Sequence, residues 1–443
     1  MLNLVLLFPV VVLGWLWPTV GWWLVLVEAV WWFAVVCLLE QLDRRPAAFK
    51  ASRSRQAVAK LFADEFRGDA GRRLISGWFF DRPYASISRE ALKRWWAWAR
   101  CCDVEVDEAL EADVRAIEAA LGMLEGGPEE QRSVRLNLDS VRERVLTKPL
   151  WLYVVLRGAC GSTAAIALWR MGFYRRPFGR LWFWIRDGPG QTVLFLHGLG
   201  VGILPYIPLL RLFPSHFRLI IPDLWYASLA PPIELWVKGG VPDRDEHLRA
   251  IDAALGPTTT TTKVDVFGHS YGTVVAAWLL HARPDRIRVL ALAEPVALLV
   301  HHAHVARNFL YDPAPDLPRA LVKRVVGMDP VVVHLLMRNF WWFENTIFVR
   351  DLKDTSTIVF LSEKDEVVPS SLIRQRLLAE APGVGVVWTP SASHGDTAFN
   401  PNLAQTYVRP FVRLQKKAEE DLAVDRGESP PRRREILVEA ADI

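Results

Sequence analysis

Residues 263–280 read KVDVFGHSYGTVVAAWLL, and no stretch of the chain constrains its fold more tightly. Lys263 to His269 form a short β-rich run, and Val274 to Leu280 have the composition of a buried helix. Between them stand Ser270 and Tyr271, bracketed by Gly268 and Gly272. A strand that turns into a helix this abruptly needs positions without side chains, and glycine supplies them. The flanking sequence repeats the alternation. TVLFLHG (192–198) and FRLIIPD (217–223) precede this run; IRVLALAEP (287–295), TSTIVFLSEKD (355–365) and VGVVWTP (384–390) follow it. Strands alternating with helices predict an α/β domain over about 185–415, with a mostly parallel sheet, helices on both faces and active groups at the strands' carboxyl ends.

Three features of that segment belong together. Gly268-His269-Ser270-Tyr271-Gly272 lies between a strand and a helix; HGLGVG (197–202) ends an earlier strand; Asp365 and His394 follow the serine, each just past an apolar run. In these residues the segment 185–415 resembles the α/β-hydrolase superfamily, and within it the lipase- and esterase-like serine hydrolases. The resemblance implies a nucleophile elbow carrying Ser270, with His394 as general base and Asp365 as the acid that orients it. It also implies an oxyanion hole made by the backbone N–H groups of Leu199 and Tyr271. Glu294, at the end of the strand after the nucleophile helix, is an alternative acid, and Glu363 a neighbour of Asp365. The sixty or so residues between Pro295 and Thr355 fall where the resembled fold inserts a lid, and they include the aromatic run RNFWWFENTIF (338–348). Epoxide hydrolase and dehalogenase chemistry is disfavoured, because relatives with those activities carry aspartate where Ser270 stands.

The amino terminus is of another kind. Residues 2–39 contain one charge, Glu28, and as one helix would run about 57 Å, roughly twice the hydrocarbon core of a bilayer. Gly14, Pro18 and Gly21 offer a break, so residues 1–43 are expected to anchor the chain either as a hairpin in one leaflet or as one span at about 20–40. A cleaved signal peptide fits poorly, for want of a basic n-region and a small-residue cleavage site. Arg44, Arg45, Lys50, Arg53, Arg55 and Lys60 follow at once, which places what comes after on the cytosolic side. The endoplasmic reticulum or a lipid droplet is the expected organelle. Residues 44–184 are expected to form a helical, membrane-proximal region. In it SREALKRWWAWAR (88–100) reads either as a helix lying on the bilayer or as one packed on the catalytic domain. Periodic apolar positions from Leu110 to Leu124 and from Val134 to Val145 predict an antiparallel helical pair. Residues 149–184 read as membrane-proximal or domain-packing, and 416–443 as a disordered tail.

Composition narrows the function classes. Net charge is +4, and no zinc-finger, RNA-binding or basic-helix motif occurs, which argues against nucleic acid. Cys37, Cys101, Cys102 and Cys160 lack metal-ligand spacing, and residues beyond 160 contain no cysteine for a disulfide framework. HHAH (301–304) has no carboxylate or cysteine cluster near it in sequence, so neither a metal nor a cofactor is expected. Asp223, at a strand end, either lines the pocket or caps a turn. The expected activity is a membrane-anchored serine hydrolase cleaving carboxylic esters, with lipid esters such as acylglycerols foremost and membrane lipid as the partner. Acyltransferase, thioesterase and peptidase use the same three residues, and a catalytically silent membrane scaffold is the non-enzymatic alternative.

Overall fold

The computed structural model describes residues 18–44, 65, 67–101, 108–124, 131–134, 141–256, 263–314 and 316–425. At its centre is an eight-stranded sheet made of β1 (Tyr174–Phe178), β2 (Leu181–Arg186), β3 (Thr192–Leu196), β4 (Arg218–Asp223), β5 (Val264–His269), β6 (Ile287–Ala293), β7 (Ser356–Ser362) and β8 (Gly385–Thr389). The order across the sheet is β1-β2-β4-β3-β5-β6-β7-β8. β2 runs antiparallel to both neighbours, and the remaining pairs are parallel. The six apolar runs of the sequence are β3 to β8. Central β5 is buried along its whole length, as a parallel strand covered on both faces must be. The helix Gly272–Ala282 covers one face, burying every residue from Gly272 to Leu280. Gln405–Asp425 covers the other, where Tyr407 and Phe411 pack on Phe267.

Two boundaries differ from the sequence reading. The sheet begins at Tyr174, not near 185, because β1 and β2 form a hairpin on its edge. In β2, Leu181, Phe183 and Ile185 point inward while Trp182 and Trp184 point out, and that aromatic outer face is what made the run look membrane-proximal. The carboxyl-terminal helix runs on to Asp425, past the expected boundary at 416. It continues because its inner face is still in contact: Ala418 is buried, and Gln415 donates from Nε2 to Asp265 Oδ2 at 2.6 Å. Residues 426–443 lie outside the described residues.

The region before the sheet packs onto it. Helix Arg89–Cys101 buries Trp95, Trp96 and Trp98, with Trp78 5.1 Å from Trp98 ring to ring, and Trp342 donates from Nε1 to Ala99 O at 2.8 Å. The reading of this helix as lying on a bilayer is therefore overturned: its tryptophans face protein. The run 338–348 supplies the opposite wall, since Trp341, Trp342 and Phe343 are buried there. Helix Glu108–Leu121 buries Leu110, Val114, Ile117 and Leu121 as its periodicity requires. The helix expected to follow it is not seen in residues 131–134 and 141–145, whose only helical turn is Arg142–Arg144. Val134 N–H donates to Trp78 O at 2.9 Å and Val141 N–H to Asp43 Oδ1 at 2.7 Å, so these residues bond outward to the body.

Two helices are long and apolar enough to cross a membrane by length and composition, Trp22–Asp43 and Leu150–Arg170. The second half of the first is docked: Trp31, Val35, Leu38, Leu39 and Leu42 are buried, whereas Trp22, Trp23, Val30 and Phe33 are exposed. Buried Glu28 accepts from the backbone N–H groups of Leu150 and Trp151, both at 2.9 Å, and so caps the start of the second helix. That second helix exposes Val154, Val155, Ile166 and Trp169. Residues 1–17, the basic positions 45–60 and Cys102 fall outside the described residues.

Candidate active site

Ser270 sits at φ 51°, a left-handed conformation that few non-glycine residues adopt, directly after β5. The turn holds because its neighbours permit it. A Cβ on Gly272 would collide with the Leu196 carbonyl of β3, and one on Gly268 would press on the Gly272 backbone at 3.1 Å. The strain lifts the Ser270 side chain off the sheet's carboxyl edge toward His394, whose Nε2 lies 2.8 Å from Oγ. On the far side of the ring, His394 Nδ1 lies 2.9 Å from Asp365 Oδ2 and 3.0 Å from Oδ1. Asp365 is fixed in turn, its Oδ1 accepting from Val367 N–H at 2.8 Å and Val368 N–H at 2.7 Å. Three residues named from the sequence thus meet, from the ends of three strands.

Glu294 lies elsewhere in the network. It follows β6 at φ 46°, and its Oε2 is 3.8 Å from His394 Nδ1, beyond hydrogen-bond reach. That oxygen instead accepts from Gly395 N–H at 2.5 Å and lies 3.0 Å from His269 Nε2, while Oε1 accepts from the Ser362 hydroxyl at 2.5 Å. Burial works against its charge, but the His269 hydrogen bond, the His394 and His269 charges and the Ser362 bond outweigh it and hold the carboxyl well below the usual range. His269, named only as part of the elbow, continues the chain: its Nδ1 is 2.8 Å from Tyr206 Oη, and that oxygen accepts from Gly198 N–H at 2.9 Å. One buried relay therefore joins the loop after β3, the elbow and the loop bearing His394. Glu363 accepts from Ser391 N–H at 2.8 Å.

Leu199 and Tyr271 both line the cavity above Ser270. Among the described residues neither backbone N–H has a hydrogen-bond acceptor, so both remain able to donate to a ligand oxygen. The cavity encloses about 280 Å³ and is apolar away from the serine, with Val296, Val300, Val305, Phe309 and Phe340 in its walls. Of the aromatic run 338–348, then, Phe340 faces the cavity and the tryptophans do not. His394 is subject to opposing influences. Burial, the largest, disfavours the imidazolium, yet the Asp365 charge and hydrogen bond, with the Glu294 and Glu366 charges, raise its pKa to about 9.

Sequence reasoning missed Glu366 and Arg319. Glu366 Oε2 accepts from His394 N–H at 3.2 Å, and Arg319 reaches down from the 295–355 insertion to Glu366 Oε1 at 3.2 Å and to the Ser393 hydroxyl. No spacing in the sequence signals that contact. Glu65 was missed as well. It brings a carboxylate to His301 and His302, the three donor atoms lying within 4.8 Å, but Arg376 Nη1 already holds that carboxylate at 2.9 Å. Asp223 lies in the wall of a neighbouring cavity and pairs with Arg175 at 2.5 Å.

Residues 191–358 match the family model described as alpha/beta hydrolase fold. The domain has the α/β-hydrolase fold. The mostly parallel sheet with helices on both faces is the one the resemblance implied, and Ser270 follows β5 at the turn into a helix, with residues 295–355 lying between β6 and β7. Solved structures similar to the chain include a carboxylesterase from Bacillus subtilis (16% identity, 59% of this chain and 99% of that one, TM-score 0.42). A membrane phospholipase A described as a novel bacterial virulence factor (18%, 60% and 94%, 0.41) and the naproxen esterase of Bacillus subtilis (13%, 58% and 98%, 0.41) are others. No curated protein matches the chain in sequence.

Proposed function

We propose that this chain is a membrane-bound serine esterase acting on lipid esters. The observation that carries the reading is the continuous chain Ser270 Oγ, His394 Nε2, Nδ1 and Asp365 beneath an apolar cavity. Ser270 Oγ attacks the ester carbonyl carbon while its proton passes to His394 Nε2. The carbonyl oxygen becomes an oxyanion facing the N–H groups of Leu199 and Tyr271. Collapse expels the alcohol, which takes the proton from Nε2 and leaves an acyl-serine. Water, deprotonated by the same nitrogen, then releases the carboxylic acid and restores Ser270. Asp365 fixes the ring so that Nε2 faces the serine and stabilises the imidazolium in both steps.

Attachment to lipid is supported by the exposed apolar residues of the two long helices, Trp22, Trp23 and Phe33 on one, Val155 and Trp169 on the other. Because the first helix is docked over half its length, the attachment proposed is insertion into one leaflet, with the basic positions 44–60 on the cytosolic side. The test of the esterase reading is labelling of the detergent-solubilised protein by a fluorophosphonate, followed by fatty-acid release from acylglycerols. Both signals are expected in the wild type and neither in Ser270→Ala; a folded protein that stays unlabelled with and without lipid would refute it.

A further inference from the structure

A second cavity, of about 300 Å³, adjoins the catalytic one, and Val201 and Gly202 of the loop after β3 are walls of both. Where the catalytic cavity is apolar, this one presents Arg157, Ser162, Arg175 and Asp223. Its outer wall is the second apolar helix at the point where Leu156–Cys160 widens into a π turn, a distortion that recurs at functional sites. Arg157 belongs to that turn. A guanidinium within a 21-residue apolar helix is costly, and such residues characteristically face a cavity or pathway.

The two arginines are held differently. Arg175 is committed: it donates to Asp223 Oδ2 at 2.5 Å and lies over the rings of Trp182 and Trp184 at 4.9 and 5.5 Å. Among the described residues Arg157 makes only long contacts, 3.4 Å to Ser228 O and 3.8 Å to Glu234 Oε1, and that carboxylate is also paired with Lys238 at 2.5 Å. Counting Lys238, three cations stand against two carboxylates, and Arg157 is the one whose donors are not engaged at close range. Arginine in that state suits a phosphate, which it can bind through two parallel N–H donors.

We infer that this cavity takes the phosphate of a glycerophospholipid whose acyl ester lies at Ser270. The inference rests on the esterase reading and names its substrate class. In such a lipid only the glycerol backbone separates an acyl carbonyl from the phosphate, and here the two cavities adjoin, sharing Val201 and Gly202 as walls. The acyl chain occupies the apolar cavity, the carbonyl oxygen meets Leu199 and Tyr271, and the phosphate reaches Arg157 with the Ser162 hydroxyl beside it. A neutral acylglycerol would leave Arg157 without its partner.

The experiment compares fatty-acid release from dioctanoyl phosphatidylglycerol and from dioctanoylglycerol, each in neutral-detergent micelles, for the wild type, Arg157→Gln and Arg157→Lys. Taking the ratio of the two kcat/KM values cancels any loss of folded enzyme. The wild type is expected to favour the phospholipid, and Arg157→Gln to lower the ratio at least about tenfold, chiefly through KM, with Arg157→Lys between them. A wild type that prefers the neutral lipid, or a ratio that Arg157→Gln leaves unchanged, overturns the proposal. A binding arm separates it from the esterase reading: the Ser270→Ala protein is titrated with the non-hydrolysable dialkyl ether analogue of phosphatidylglycerol. Saturable binding that Arg157→Gln weakens, in a protein whose wild type hydrolyses neither ester, would keep the head-group site and refute the esterase reading; no binding refutes the site. Inorganic phosphate that binds as tightly as the ether lipid would assign the cavity to the free anion and overturn the lipid.

Discussion

At His394 two effects compete, and the outcome sets the pH at which the site can work. Burial is the largest influence and disfavours the imidazolium; Asp365, through its charge and hydrogen bond, and then Glu294 and Glu366 overcome it, leaving a pKa of about 9. Only the neutral ring can take the Ser270 proton, so kcat/KM is expected to rise with pH through that value. Replacing Glu294 by Gln removes a carboxylate that favours the charged ring, so the pKa falls and the rise moves to lower pH. A Glu294→Gln profile superimposed on the wild type, or displaced upward, would refute that role. Asp365→Asn should cost far more, a loss in kcat of about 10³ to 10⁴, because Nδ1–H loses its acceptor and the ring its preferred tautomer. Glu294 is not placed to substitute, since its Oε2 is already engaged by Gly395 and His269. Ser270, Asp365 and His394 were legible because chain order and strand ends mark them. Glu366, Tyr206 and Arg319 were not, since each acts through a contact that only the folded loops create.

Elements were legible in proportion to how completely the sheet buries them. β5 and the helix after it read plainly, being apolar on every side. The β1–β2 hairpin did not, because its strands lie at the sheet edge and turn arginines and tryptophans outward; the period-two alternation of Leu181, Phe183 and Ile185 was the signal available. Helix Arg89–Cys101 had the opposite ambiguity, since basic residues beside tryptophans suit a bilayer and a protein interface equally. Its burial yields a prediction. Trp98→Ala removes a fully buried indole packed on Trp78 and should cost about 3–5 kcal/mol, read as a lower midpoint in denaturant. A shift under about 0.5 kcal/mol, the range of surface substitutions, would return the helix to the bilayer reading. Gly272→Ala tests the elbow the same way. The added methyl meets the Leu196 carbonyl, and such overpacking is expected to destabilise by about 1–3 kcal/mol or more, with fluorophosphonate labelling lost alongside stability.

For the whole molecule the question is whether the first apolar helix is an anchor hung on the enzyme or a part of it, and Glu28 separates the two. As an independent anchor, the helix would gain from losing the one charge within its apolar stretch 22–39: a carboxylate is costly in hydrocarbon, and Glu28→Leu would strengthen insertion without touching the catalytic domain. In the structure Glu28 is buried and caps Leu150 and Trp151, two turns before the π turn that carries Arg157. Next to it, Trp31 Nε1 donates to Lys148 O at 3.0 Å, and the Lys148 ammonium is itself buried against Asp329 at 2.7 Å, at the start of helix Pro330–Arg338. The first helix, the second helix and the insertion over the active site are therefore one connected body. Glu28→Leu is expected to leave membrane partition unchanged or stronger and yet lower the unfolding free energy by about 2 kcal/mol, the two buried N–H groups of Leu150 and Trp151 losing their acceptor. Esterase activity should fall with it, because the wall holding Arg157 moves. Unchanged stability and activity in Glu28→Leu would show the helix to be a detachable anchor, and the membrane would then do no more than hold the enzyme in place.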